Sequence, residues 1–257
     1  MSSLSGRRAL VCGASRGIGL ATARALAAAG ASVCLLARDA RALERAAAGI
    51  GGGAAALVAD LDDPADAARR VAGEIERGGA FTILVNNAGG PAGGPLLDAE
   101  DAAFETAFRR HVLAAQALVR TLLPGMLEAG WGRIVNIVST SVRQPIPGLG
   151  VSNTIRGAVA SWAKTLAGEL APRGITVNNV LPGATRTERL EALIEARARR
   201  EGRPGSDVAD AMRAEIPMGR FAEPEEIAAA VAFLASPAAA YVTGVSLPVD
   251  GGRTRCL

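Results

Sequence analysis

A glycine-rich turn between an apolar segment and a helix-forming segment constrains the fold of this chain more than any other feature. The apolar run Arg8 to Cys12 passes directly into Gly13-Ala14-Ser15-Arg16-Gly17-Ile18-Gly19, and the residues that follow, up to Gly30, have helical apolar periodicity. Three glycines at this spacing let the backbone turn tightly and approach a pyrophosphate, which the free amides of a helix N-terminus attract. The segment predicts a strand, a turn and a helix that bind a dinucleotide, while the glycine spacing alone also fits an ordinary loop.

Seven apolar segments alternate along the chain with helical segments of ten residues or more. This alternation is typical of strand–helix–strand crossovers and of a parallel sheet. A chain of 257 residues, 49% of them hydrophobic, can bury one large core. We therefore predict one α/β domain, residues 1–257, with a doubly wound, Rossmann-type parallel sheet and helices on both faces. The predicted strands lie near residues 8–12, 32–37, 55–59, 81–86, 132–139, 174–181 and 245–249.

Composition and cysteine spacing argue against several classes of protein. Cys12, Cys34 and Cys256 have the spacing of neither a metal site nor a disulfide framework, and the first two are predicted to be reduced thiols in buried strands. No run reaches the roughly 18 apolar residues of a membrane span, and residues 1–8 have no secretory apolar core. The net charge of +3 is modest and gives no indication of nucleic-acid binding. We expect a cytoplasmic protein without a metal, a nucleic-acid partner or a membrane partner.

Further motifs follow in a fixed order. Val85-Asn86-Asn87-Ala88-Gly89 ends the fourth predicted strand, Gly132 to Ser139 forms the fifth, and Pro182-Gly183-Ala184-Thr185-Arg186-Thr187 follows the sixth. Together with residues 217–226, 233–236 and 249–252, these stretches resemble the classical short-chain dehydrogenase/reductase family over residues 4–252. The C-terminal third is most similar to the β-ketoacyl carrier-protein reductase-like subgroup, some members of which lack a full catalytic set. The resemblance implies a nicotinamide-dependent oxidoreductase of carbonyl or hydroxyl groups.

The resemblance also implies which residues bind the nucleotide. Asp60 and Leu61 would flank the adenine, and Thr187 would contact the nicotinamide carboxamide. The residues that would line the ribose are Asn86, Ala88 and Gly89. The cofactor-binding residues predicted in this way are Gly13, Ser15, Arg16, Gly17, Ile18, Gly19, Ala37, Arg38, Asp60, Leu61, Asn87, Ala88, Gly89, Pro182, Gly183 and Thr187.

The end of the second strand predicts which nicotinamide nucleotide is preferred. Ala37 stands where an NAD-preferring member offers an acidic residue to the ribose hydroxyls, and Arg38 follows it. A 2′-phosphate would be tolerated and attracted there, and Arg16 adds a second cation. NADP(H) is therefore favoured over NAD(H), the alternative being that both arginines are solvated surface charges.

The predicted catalytic positions depart from the family. The family places a serine 13 residues before a tyrosine and a lysine four residues after it. Here Ser139 is retained, whereas Ser152 and Arg156 stand in the other two places, and His111 stands in a fourth that is usually asparagine. Tyr241, the only tyrosine in the sequence, belongs to a C-terminal motif and cannot substitute.

These replacements change which groups can move a proton. A phenol whose pKa of about 10 is lowered by a nearby ammonium protonates the carbonyl oxygen, and the hydroxyl of Ser152 is shorter and far less acidic. Arg156 shares a helix face with Ser152 and supplies a fixed charge for ribose hydroxyls, a carboxylate or an enolate, but it relays no proton. Ser139 is predicted to donate to the substrate oxygen, unless it only makes a strand-end hydrogen bond.

His111 is the candidate for the missing acid. Histidine suits general acid and base catalysis near neutral pH, so the hypothesis gives it an apparent pKa near 6.5, moved by burial and lowered by Arg156. The alternative is that His111 only packs between helices.

The substrate side of the site carries fewer signals. Gly90 to Pro95 and Glu188 to Glu215 are predicted to be a loop and a lid over the nicotinamide. The lid arginines could meet a carrier protein, but interleaved glutamates favour a solvent-facing helix. These side chains are Arg197, Arg199, Arg200 and Arg203, with Glu191, Glu195 and Glu201.

Assembly and function are left with alternatives. The helices around 103–127 and 152–170 are apolar on more than one face and correspond to those that the family pairs across a symmetry axis, which predicts a homotetramer or homodimer. The substrate is expected to be a small molecule, free or bound to a carrier protein. Three functions remain open: an NADP(H)-dependent oxidoreductase, a non-redox isomerase, dehydratase or cyclase, and an inactive nucleotide-binding protein.

Overall fold

The strands of the computed structural model, which describes residues 4–256, form one parallel sheet in the order β3-β2-β1-β4-β5-β6-β7. The chain runs outward from the first strand to the third, returns beside the first, and then continues outward on the other side. This is the doubly wound topology that the alternation of segments predicts, with a switch point between β1 and β4. The strands are β1 Arg8–Cys12, β2 Ser32–Ala37, β3 Ala55–Val58, β4 Ile83–Asn86, β5 Gly132–Ile137, β6 Ile175–Pro182 and β7 Ser246–Val249.

Helices cover both faces of the sheet. The neighbours Leu10 and Val11 belong to two different buried apolar clusters, because successive side chains of a strand point to opposite faces. On one face Val11 packs in a cluster with Leu26, and on the other Leu10 packs in a cluster with Leu118. The helices are α1 Gly17–Ala28, α2 Ala40–Ile50, α3 Pro64–Gly78, α4 Asp101–Phe108, α5 Ala114–Glu128, α6 Gly150–Leu170, α7 Glu188–Glu201, α8 Gly205–Ala214 and α9 Pro224–Ala235.

The helix predicted around 103–127 is interrupted. Between α4 and α5 the segment Arg109–Leu113 forms a π-helical turn that carries His111. Such a turn adds one residue to the helix and shifts the side chains after it around the helix axis, and it is frequent at functional sites. Apolar periodicity does not reveal this insertion.

A chain of hydrogen bonds between polar side chains crosses four strands. Asn86 donates to Asn136 at 2.8 Å, Asn136 donates to Asn179 at 2.9 Å, and Asn179 donates to the hydroxyl of Ser246 at 3.1 Å. The four residues are partners in the strand register, one on each of β4 to β7. Because buried amides without partners are costly, this ladder favours one register of β4 to β7.

The predicted thiols lie in the sheet. Cys12 and Cys34 are buried in β1 and β2, and burial raises the pKa of each thiol to about 12. Within residues 4–256 no helix is both long and apolar enough to cross a membrane. In the same range no group of three or more His, Cys, Asp and Glu side chains is placed to hold a metal ion. Residues 1–3, which belong to the N-terminal segment predicted to lack a secretory core, lie outside the described residues.

Candidate active site

A cavity of about 940 Å³ opens where the parallel strands end. Its wall includes residues that follow β1, β4, β5 and β6, so it spans the switch point between β1 and β4. Doubly wound sheets bind ligands at this place, and the volume falls in the usual range for small-molecule sites, about 300 to 1,000 Å³.

The glycine turn forms one end of this cavity. Gly13 and Gly17 have φ of 58° and 55°, the left-handed region in which a side chain is strained. A Cβ on Gly19 would lie 2.2 Å from the carbonyl oxygen of Gly13, so the turn closes only with glycine there. Arg16 precedes α1 without a side-chain capping hydrogen bond in the described structure. The N-terminus of α1 is thus left to face the cavity, which fits a diphosphate.

The structure gathers the predicted cofactor-binding residues around the cavity. Gly19 is the exception, because it lies behind the turn and packs against Gly13. Asn87 supports the turn, since its side-chain amide donates to the carbonyl oxygens of Cys12 and Gly13 at 3.3 Å each. The predicted residues on the wall are Gly13, Ser15, Arg16, Gly17, Ile18, Ala37, Arg38, Asp60, Leu61, Asn87, Ala88, Gly89, Pro182, Gly183 and Thr187.

The two arginines expected near a 2′-phosphate have different surroundings. Arg38 is exposed, and its guanidinium lies 3.9 Å from the carboxylate of Asp60. Arg16 forms an ion pair with Glu188, the first residue of α7, so this contact joins the glycine turn to the predicted lid. Both pairs are exposed and therefore weak. Arg38 is the freer of the two cations for a phosphate.

Ser139, Ser152 and Arg156 line the cavity where β5 and α6 reach it. Ser139 follows β5 and begins a short 3₁₀ turn, where its hydroxyl accepts a hydrogen bond from the amide of Ser141 at 3.1 Å. Ser152 and Arg156 lie one turn apart on the buried face of α6, as their spacing predicts. The predicted strand-end hydrogen bond of Ser139 is therefore present, and its hydroxyl proton remains available to a ligand.

Arg156 is buried and held by backbone oxygens. Its guanidinium donates to the carbonyl of Ile137 at 2.9 Å and to that of Ala88 at 3.4 Å. Burial, reinforced by the charge of Arg189, lowers the pKa of Arg156 to about 10. The side chain therefore keeps its positive charge at neutral pH.

His111 does not line the large cavity and instead borders a second cavity of about 20 Å³ that has room for one water molecule. Asn86, Asn136 and Arg156 also line this small cavity, and the buried Nε2 of His111 has no partner among the described residues. Burial, followed by the charges of Arg156 and Arg110, lowers the pKa of His111 to about 2. The expectation of a pKa near 6.5 is thus wrong in magnitude although right in direction, and the imidazole is neutral at every working pH.

The neutral state of His111 makes the stability of the fold depend on pH. Below pH 6.5 the unfolded chain protonates this histidine whereas the folded chain does not, so the free energy of unfolding falls as pH falls. Between pH 7 and pH 5 the loss from His111 should be about 2 kcal/mol. His111→Asn should remove that part of the decrease. Urea unfolding of both proteins at pH 5, 6 and 7 measures it, and parallel curves for the two proteins would contradict the buried neutral imidazole.

The predicted lid consists of the two helices α7 and α8. Thr187 caps α7, and its methyl group lies 3.3 Å from the position of a Cβ on Gly17, so the predicted lid starts beside the glycine turn. On the outer part of α7, Arg197 pairs with Glu201 and Arg199 with Glu195, which supports the interpretation of a solvent-facing surface.

One cavity residue that the sequence did not single out is Arg189. It lies in the first turn of α7 and donates to the carbonyl of Pro91 at 2.5 Å, which links α7 to the loop after β4. Only its place at the start of the predicted lid could have indicated it.

Known proteins match the chain over nearly all its length. The family model described as enoyl-(acyl carrier protein) reductase matches residues 13–254. Galactitol 2-dehydrogenase (L-tagatose-forming) of Cereibacter sphaeroides is 40% identical over 98% of this chain and 96% of its own. L-Sorbose reductase of Gluconobacter frateurii, solved with NADPH and L-sorbose, has a TM-score of 0.93 and 32% identity over 100% and 99% of the chains. 3-Ketoacyl-(acyl-carrier-protein) reductase of Brucella melitensis, solved with NADH, has a TM-score of 0.88 and 36% identity over 98% and 100%.

Proposed function

Because the chain belongs to the short-chain dehydrogenase/reductase family, we propose that it is an NADP(H)-dependent oxidoreductase acting on a carbonyl or hydroxyl group of a small molecule. One observation carries this proposal. A single cavity joins an uncapped helix N-terminus, the cation of Arg38 and the hydroxyl of Ser139. When bound, the nucleotide supplies or accepts the hydride.

Each part of the wall then has a role. The glycine turn and the N-terminus of α1 bind the diphosphate. Asp60 and Leu61 flank the adenine, and Arg38 attracts the 2′-phosphate. At the reacting end Ser139 donates a hydrogen bond to the substrate oxygen, and Arg156 supplies a fixed positive charge.

The loss of the tyrosine slows the reaction without abolishing it. General acid catalysis contributes about 10²- to 10⁴-fold, whereas orienting the two reactants contributes roughly 7 to 11 kcal/mol. Ser152 keeps a hydroxyl near the substrate oxygen, and it transfers a proton through a water molecule at best. We therefore propose a slow enzyme whose rate enhancement comes mainly from positioning the nucleotide and the substrate.

The position of His111 weighs against the non-redox alternatives. An isomerase, dehydratase or cyclase needs a group that exchanges protons near neutral pH. His111 stays neutral and lines the small cavity, and Arg156 stays charged. Neither residue supplies such a group, which favours the oxidoreductase.

The cofactor preference is tested by nucleotide binding. NADPH should bind at least tenfold tighter than NADH, because Arg38 pairs with the 2′-phosphate and Ala37 places no carboxylate beside that phosphate. Arg38→Ala should erase most of this difference. Arg41→Ala is the matched control, since Arg41 is exposed on α2 outside the cavity wall. Fluorescence titration of both nucleotides measures the constants, and equal affinities in the native chain would refute the preference.

We also propose a homodimer or homotetramer assembled through α4 and α5. Phe108 precedes the π-helical turn and Leu113 ends it, and their side chains are 40% and 43% exposed; Leu127, further along α5, is 40% exposed. Large apolar side chains exposed along one helical unit indicate an interface. A monomer by light scattering at micromolar concentration would refute this assembly.

A further inference from the structure

Two arginines from different elements converge at the reacting end of the cavity. A Cβ built on Gly90 would lie 3.4 Å from Nη2 of Arg189 and 3.7 Å from Nη2 of Arg156. Arg156 lies on α6, and Arg189 lies on the lid helix α7. Both line the cavity together with Ser139 and Ser152, the residues placed beside the substrate oxygen.

Neither arginine forms an ion pair with a described carboxylate. Arg156 donates to two backbone carbonyls and Arg189 to one, which leaves N–H donors of both guanidinium groups unused. Arg197 and Arg199 of the same lid helix do form ion pairs, with Glu201 and Glu195, whereas the exposed Arg200 forms none with a described carboxylate. Arg156 and Arg189 differ from these outer arginines because both border the cavity.

The acidic side chains of the cavity lie elsewhere. Asp39 and Asp60 stand near the end of β2, and Glu188 pairs with Arg16. Burial lowers the pKa of Arg156 and of Arg189, and the two charges oppose each other. Two partly desolvated like charges without an anion are costly, and an anion that binds between them offsets the cost.

The location of Arg156 and Arg189 decides whether the anion is a phosphate of the nucleotide or a group of the substrate. The nucleotide diphosphate belongs at the N-terminus of α1, beside Gly17 and Ile18. Arg189 instead reaches across to Pro91, in the loop that is predicted to lie over the nicotinamide. A planar guanidinium pair matches a carboxylate, which accepts two parallel hydrogen bonds.

We propose that the substrate is an oxo acid or hydroxy acid whose carboxylate binds between Arg156 and Arg189, with the reacting carbonyl or hydroxyl toward Ser139. This inference rests on the proposed oxidoreductase function and names its substrate class. The anion binds without any bond being made or broken at the arginines.

A pair of probes that differ only in charge tests the proposal. NADPH oxidation is measured with acetoacetate and with its neutral methyl ester. The acid should have at least tenfold higher kcat/KM than the ester, because each charge-assisted hydrogen bond favours it. Arg189→Gln should remove most of the preference for the acid and leave the Kd for NADPH within about twofold of the native value. Arg199→Gln, on the solvent side of the same helix, should change neither quantity.

Two results would overturn the proposal. Equal kcat/KM for acid and ester in the native chain is one. The other is a weaker Kd for NADPH in Arg189→Gln with the acid-to-ester ratio unchanged, which would assign the arginine to a nucleotide phosphate.

A separate arm distinguishes failure of the oxidoreductase function from failure of the anion site. Acetoacetate alone, without nucleotide, should raise the Tm of the native chain and of Arg199→Gln but not that of Arg189→Gln, and the methyl ester should raise none of them. If no probe oxidises NADPH while this pattern holds, the proposed function is wrong and the anion site stands. If acetoacetate raises all three Tm values equally or none, the anion site is wrong.

Discussion

Ser152→Tyr combined with Arg156→Lys should raise kcat/KM for reduction of methyl acetoacetate by NADPH at least 10²-fold. The phenol gives the carbonyl oxygen an acid whose pKa of about 10 is lowered by the lysine ammonium, and general acid catalysis is worth about 10²- to 10⁴-fold. Ser152 borders the large cavity, so a phenol ring has open space to enter. Initial rates of NADPH oxidation by the native and double-variant chains measure the gain.

A matched variant distinguishes the effect of the phenol hydroxyl on the rate from the effect of the aromatic ring. Ser152→Phe combined with Arg156→Lys supplies the same ring without a hydroxyl, so it should not exceed the native rate. An equal gain from phenylalanine would assign the effect to packing. A native chain that reduces the ester at the rate of the double variant would show that the catalytic positions are misassigned.

Gly19→Ala should be the most damaging single substitution in the nucleotide site. The added Cβ would lie 2.2 Å from the carbonyl oxygen of Gly13 and 2.8 Å from the side-chain amide of Asn87, distances that no Cβ tolerates. The backbone of the turn must move. We expect a loss of about 3 kcal/mol in the free energy of unfolding and about 10²-fold in NADPH affinity.

Gly49→Ala is the matched control for this substitution. Gly49 lies within α2, and a Cβ there would meet no atom within 4 Å. Alanine should stabilise the chain by about 0.5 to 1 kcal/mol and leave NADPH binding unchanged. Urea unfolding and fluorescence titration of the two variants measure both quantities, and similar behaviour of the two would contradict the close packing of the turn.

The sheet could be predicted because its signals are local. Apolar runs bounded by turns placed each strand within two residues of its observed ends, and their alternation with helical segments predicted a doubly wound parallel sheet. The spacing of Ser152 and Arg156 likewise predicted their shared face on α6. The fold therefore follows from periodicity and turn chemistry.

The electrostatics of the site could not be predicted in the same way. The pKa of His111 depends on how deeply the π-helical turn that carries this residue is buried, and nothing in the sequence indicates that turn. The convergence of Arg156 and Arg189 joins residues of two separate helices. The ion pair of Arg16 with Glu188 links residues 172 positions apart. These are tertiary contacts, which no local pattern encodes.

Transfer of deuterium from NADPH to a substrate carbon tests the central claim most directly. The native chain is incubated with NADPH labelled at C4, in separate reactions for each face of the ring, and with acetoacetate or its methyl ester. Mass spectrometry of the 3-hydroxy product then measures the label. An oxidoreductase of this kind should place one deuterium on C3 of the product in one of the two labelled reactions. Unlabelled product from both, or no product from either probe while NADPH binds, would contradict the account.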